Sequence, residues 1–245
     1  MQRVFFGLVL PERSDVSIAG PITIESNEPS PYKIIMSILR SQIHATCTWD
    51  ESVNLSTFKN IVEFQARLIV DAIGLHECCG YDMEIISAID PVTGAHDVFG
   101  VQETLDINKG FPDFVEMVKK AGREPALYVA LANFREAIRV PHETSLYCYR
   151  AIEAIRQVFV PEGVDRDSGS ARIASWSAMR QALNLLEDTI RESEPFAKSS
   201  RHGQLVEQPW SLRKRHMEIA HEIIRRFTHL RCGNLTQLGG EFPQY

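Results

Sequence analysis

Arg201 and His202 stand side by side before Gly203, and Arg215, His216 and His221 follow on the next helical stretch. These residue types suit acid–base and phosphate chemistry. A histidine titrates near neutrality and can take or give a proton, while an arginine can hold two phosphate oxygens at once. Between Glu194 and Arg231 eight basic residues face four acidic ones, so the stretch carries +4 in a chain of net charge −6 and leaves −10 for the remainder. Such asymmetry marks a site for an anionic partner, and it equally describes a helix with a solvated basic face.

Where these side chains point depends on the helix that carries them. Taking Ile223 as reference and about 100° per residue, Leu212, Ala220, Phe227 and Leu230 fall within roughly 60° of it and define an apolar face. His216 lies about 20° from the centre of that face and is expected to point inward. His221 lies about 160° away, with Arg225 on the same outer side, and is expected to face water; Arg215 and Arg226 sit on one flank, at about −80° and −60°. A structural reading exists for each: His216 as a hydrogen-bonded histidine at the core edge, His221 as surface, Arg201 and His202 as a polar loop. Their place between two helices puts Arg201 and His202 in a crevice of the kind where bundles build sites.

The elements that must position these residues are readable from period and punctuation. Val4–Leu10 and Ile22–Glu25 read as strands, and 32–49 is rich in strand formers, with Gln42–Cys47 alternating and room for a helical turn near Ile38 and Leu39. Apolar residues at three- and four-residue spacing predict a helix over 54–80, capped by Asn54 or Ser56. Tyr81–Ile89 and His96–Val101 form a hairpin about the turn residues 90–94. Beyond Phe111 only helices are convincing: 114–121, 125–140, one begun by Pro141, 173–190, and about 210–230, with a polar loop at 163–169. The expected fold class is α+β: an N-terminal mixed α+β sheet domain over 1–110, an all-α helical bundle over 111–235, and a tail over 236–245.

Composition narrows the class. Apolar and charged fractions are those of a globular protein, and no run approaches the roughly 20 apolar residues of a membrane span, so no membrane association is expected. Five scattered cysteines (Cys47, Cys78, Cys79, Cys148, Cys232) suit a reducing cytosol and read as mostly buried thiols, and the N-terminus does not read as a secretory signal. His76-Glu77-Cys78-Cys79 is too compressed for a tetrahedral zinc site and reads as a helix end. Glycine-rich phosphate loops, Gly-x-Ser-x-Gly elbows and paired zinc histidines are absent from the sequence, so neither cofactor nor metal is expected.

Four motifs carry a likeness: Tyr149-Arg150-Ala151-Ile152-Glu153, Trp176-Ser177-Ala178-Met179-Arg180, Ser200-Arg201-His202-Gly203 and Ile223-Ile224-Arg225-Arg226-Phe227. Over about residues 122 to 232 the chain resembles the HEPN superfamily of helical bundles, in particular its prophage- and defence-associated members. The resemblance implies a homodimer in which an arginine and a histidine, four to six residues apart, meet their symmetry mates in a cleft and cut RNA without metal. Histidine would serve as general acid or base and arginine would hold the scissile phosphate. Arg201 and His202 are the first candidates although they are adjacent, Arg215 and His216 the next, and Arg215 with His221 meets the spacing. The alternative is a catalytically inactive dimeric binding or regulatory module whose N-terminal domain meets a protein partner.

Overall fold

The structure is a computed structural model that describes residues 1–27, 30–99, 110–163, 165, 168–192, 194–201 and 208–245. The chain forms two compact units, Met1–Thr104 and Leu105–Tyr245.

The first unit is a six-stranded sheet with one long helix. Strands β1 (Gln2–Leu10), β2 (Ile22–Ser26), β3 (Tyr32–Leu39), β4 (Gln42–Trp49), β5 (Asp82–Ile89) and β6 (His96–Val98) lie in the order β2-β3-β4-β1-β5-β6, every neighbouring pair antiparallel. Alternation along β4 buries Ile43, Ala45, Cys47 and Trp49 on one face, and helix α1 (Leu55–Glu77) covers that face through Phe58, Val62, Ala66 and Val70. The Trp49 and Phe58 rings stack at 4.1 Å. Asn54 caps α1 through its side chain, which accepts from the Thr57 N–H, and Cys78 closes the helix in the left-handed region, as the sequence led one to expect of a helix end.

Residues 32–49 form two strands joined by a tight turn, without the helical turn considered at Ile38 and Leu39. Arg40 and Ser41 both have positive φ, at 49° and 62°, the geometry that suits the twist of a two-residue hairpin. Neighbouring chain offsets the strain: the Ser41 N–H donates to Val16 O, the Arg40 N–H to Ser17 Oγ, and Ser41 Oγ accepts from the Val16 N–H. The second strand of the following hairpin spans His96–Val98, and residues 100–101 fall outside the described residues.

The second unit is all helical: α2 (Phe114–Ala121), α3 (Pro125–Arg139), α4 (Thr144–Arg156), α5 (Gly169–Leu183), α6 (Glu187–Arg191), α7 (Glu194–Arg201) and α8 (Trp210–Cys232). Pro125 opens α3, and Pro141 starts a short 3-10 turn that folds α4 back along it. The single helix expected over 173–190 is two. Asn184 leaves α5 in the left-handed region (φ 52°), so Glu187–Arg191 turns away as a separate short helix.

Helix α8 runs through the centre of this unit, and the one-sided apolar face expected of it proves too narrow. Fourteen of its 23 residues are buried, polar ones included. Residues 236–245 supply part of the cover: Leu238 and Phe242 are buried, the Leu186 N–H donates to Tyr245 O at 2.7 Å, and the Tyr245 N–H donates to Asn184 O at 3.2 Å. No described helix is long and apolar enough to cross a membrane.

Candidate functional site

The five candidate residues do not converge. Arg201 ends α7, and of its side chain nothing is described; His202 and Gly203 lie outside the described residues. Arg215 is half-exposed and held by both Glu192 carboxylate oxygens at 2.8 Å. His216 is buried as its wheel position predicts, with Nδ1 2.6 Å from Ser145 Oγ, which also meets Gln208 Oε1 at 2.8 Å. Burial pulls its pKa below the ordinary value, and the Glu192 carboxylate and a bond to the Glu192 backbone oppose that shift.

His221 corrects the wheel. It is enclosed rather than solvated, its ring edge-on to Phe111 at 5.1 Å and tilted against Phe134 at 5.9 Å, and burial lowers its pKa. Arg225, expected on the same wet side, is buried too. Its Nε and Nη2 donate to the two Glu222 oxygens at 2.7 Å, and Nη1 donates to Gly110 O. Burial pushes the Glu222 carboxyl up, but the bonds from Arg225 and Arg226 outweigh it and leave the pKa low.

Three of the eight basic residues of 194–231, Arg213, Arg225 and Arg226, are therefore internal. Arg213 Nη2 donates to Ile138 O and its Nε to Thr144 Oγ1, so it closes the C-terminal end of α3. Arg226 Nη1 donates to Leu183 O and Asn184 O at the end of α5, while Nη2 donates to Pro243 O at 2.7 Å. Both guanidinium groups sit where helix carbonyls lack partners and the helix dipole is negative. Arg231 pairs with Glu124.

Cationic side chains open to solvent gather elsewhere, in a cleft of about 480 Å³ between α4, α5, α6 and α7. Arg172, Trp176 and Arg180 follow one another at four-residue spacing on α5, so they share a face; the turn at Asn184 brings Glu187 and Arg191 of α6 to the same cleft, and Tyr149 of α4 forms its base. Tyr149 and Trp176 are 6.1 Å apart. Behind Trp176 the buried Arg156 guanidinium lies 5.4 Å from the ring and donates to Ser175 Oγ, while its Nε lacks a hydrogen-bond partner among the described residues. Arg180 and Arg191 pair with Glu187, and Arg172 stands 4.0 Å from Glu194. This arrangement can stack a planar group on an indole and meet anionic oxygens with arginines. Periodicity alone does not reveal it, because it makes 173–190 one helix; the Arg172–Trp176–Arg180 stripe is the signal the sequence offers.

Among the described residues no group of three or more His, Cys, Asp or Glu could hold a metal ion. All five cysteines are free, Cys47 and Cys148 buried, Cys78 and Cys79 exposed and Cys232 between, so fewer are buried than expected.

An antiparallel sheet unit followed by a helical unit built around one enclosed, arginine-rich helix defines an α+β protein of two units. Residues 3–99 match the N-terminal domain, and residues 114–232 the C-terminal domain, of the family described as domain of unknown function DUF8168. The chain thus carries both domains of that family in order. No curated protein and no solved structure matches it.

Proposed function

We propose that the helical unit engages RNA, single-stranded segments above all, through the cleft of Tyr149, Arg172, Trp176, Arg180 and Arg191. One observation carries the reading: an accessible indole flanked on its own helix by two arginines, with a third from the adjoining short helix. Stacking on an aromatic ring and arginine contacts to the backbone are how sequence-tolerant single-strand binders work. The HEPN likeness adds metal-independent cleavage, for which Arg201, the last residue of α7, and His202, its neighbour in sequence, are the assigned pair. His216, enclosed against Ser145, and Arg215, held by Glu192, then support the fold rather than touch the strand. His221, in its apolar surroundings, does likewise.

Fluorescence anisotropy with a labelled single-stranded RNA at two salt concentrations, and incubation of RNA in chelator, test the two parts. Trp176→Ala is expected to weaken binding about tenfold, within the roughly 1–3 kcal/mol of a stacked base, and binding should fall steeply with salt. His202→Ala is expected to abolish cleavage and leave binding intact. RNA that the folded wild type neither binds nor cuts would sink the proposal.

A non-cutting dimeric module is the second reading, favoured by the exposed apolar side chains Phe114, Val115 and Val118 on α2 and Tyr128 and Val129 on α3. Binding without cleavage by a protein that sediments as a dimer would select it.

A further inference from the structure

A second cleft, of about 310 Å³, lies between α2, α3 and α8, and its chemistry is opposite to that of the arginine cleft. Phe111, Phe114, Met117, Leu131 and Phe134 give it walls of aromatic edges, sulfur and aliphatic carbon. Among the described residues, His221 is the single polar side chain in its lining. That imidazole is 9% exposed and has no hydrogen-bond partner among the described residues. The charged groups nearby are committed elsewhere: Glu222 and Arg225 bind each other, Arg225 also reaches Gly110 O, and on α2 Lys119 pairs with Glu116. The His221 nitrogens are not among the fully enclosed atoms left without a partner, so they keep contact with solvent, and a bound molecule that displaces that water must supply the hydrogen bond in its place.

We propose that this cleft binds a small uncharged aromatic molecule bearing one hydroxyl or N–H group, with His221 as its hydrogen-bond partner. The lining decides the class. An ion would lose its hydration without meeting a countercharge. The volume is at the lower end of small-molecule sites and admits one or two fused rings rather than a long chain. Phenylalanine edges and a methionine sulfur favour an aromatic face over an aliphatic one. A neutral imidazole offers one donor and one acceptor, enough for a single hydroxyl or N–H. This inference is independent of the RNA reading, since no residue of the arginine cleft takes part.

Calorimetric titration with 2-naphthol and with naphthalene, which lacks the hydroxyl, tests it without RNA. The wild type is expected to bind 2-naphthol at least about tenfold more tightly than naphthalene, the value of one well-placed hydrogen bond. His221→Leu should erase that preference while still binding naphthalene, and His221→Gln, which keeps a donor and an acceptor, should retain part of it. Leu131→Trp should fill the cleft and abolish binding of both. The wild-type comparison needs no variant, so it stands even where a substitution fails to fold. Failure of the folded wild type to bind either probe overturns the proposal, including the case in which sedimentation shows a second copy covering the cleft. Equal affinity for the two probes, or a preference that survives in His221→Leu, overturns it as well.

Discussion

His216 Nδ1 lies 2.6 Å from Ser145 Oγ, and this contact ties the first half of α8 to the first turn of α4 inside the bundle. Gln208 completes the tie: its Oε1 accepts from Ser145 Oγ and its Nε2 donates to His142 O. The same side chains thus anchor the chain that leads into α8.

Acid sensitivity follows from the two enclosed histidines. Burial lowers both below the ordinary value of 6.5. The unfolded chain therefore binds protons first as pH falls, so the stability associated with the neutral imidazoles is complete above about 6.5 and is lost progressively below it. The urea midpoint is expected to be lower at pH 5.5 than at pH 7.5, and His216→Gln should shrink the difference. A midpoint equal at both pH values would contradict the linkage.

Glu222 and Glu192 make a contrasting pair. Glu222→Gln removes the carboxylate that two buried arginines share, and loss of one partner from a buried ion pair costs about 3–5 kcal/mol. Arg215→Ala breaks a solvent-exposed pair with Glu192 and should cost no more than about 1 kcal/mol. Urea titrations of the two variants, run side by side, check the order.

Thiol reactivity should sort by burial. Cys78 and Cys79 are expected to react with a maleimide in the native protein, Cys232 more slowly, and Cys47 and Cys148 only after denaturation. Burial also pushes the Cys47 pKa up to about 12, which keeps its reactive thiolate scarce. Mass spectrometry of alkylated peptides reads the sequence of events; early modification of Cys148 would show that the bundle opens.

Strands, helices and their caps were legible because each is announced locally: alternation at Gln42–Cys47, the Asn54 cap and Pro125 need no knowledge of distant residues. The surroundings of α8 were not. A helical wheel assigns one face to water, whereas Phe111 covers the His221 side and Phe242 and Pro243, which carry no periodic signal, cover the Arg225 and Arg226 side. Charge misled in the same way. Arg213 and Arg226 of α8 answer carbonyl ends of α3 and α5, partners 42 to 75 residues away along the chain. The arginine cleft needed a single conformational fact, the left-handed Asn184 that divides 173–190.

The strap formed by residues 238–245 has a kinetic meaning. Its partners, Ala182, Asn184 and Leu186 on one side and Arg226 on the other, come together only when α5 and α8 are already packed. Interactions of that kind are expected to form after the rate-limiting step, so their loss should speed unfolding and leave the folding rate nearly unchanged. Phe242→Ala measured by stopped-flow should move the unfolding arm alone, which would make the strap the brake that sets how long the helical unit stays closed.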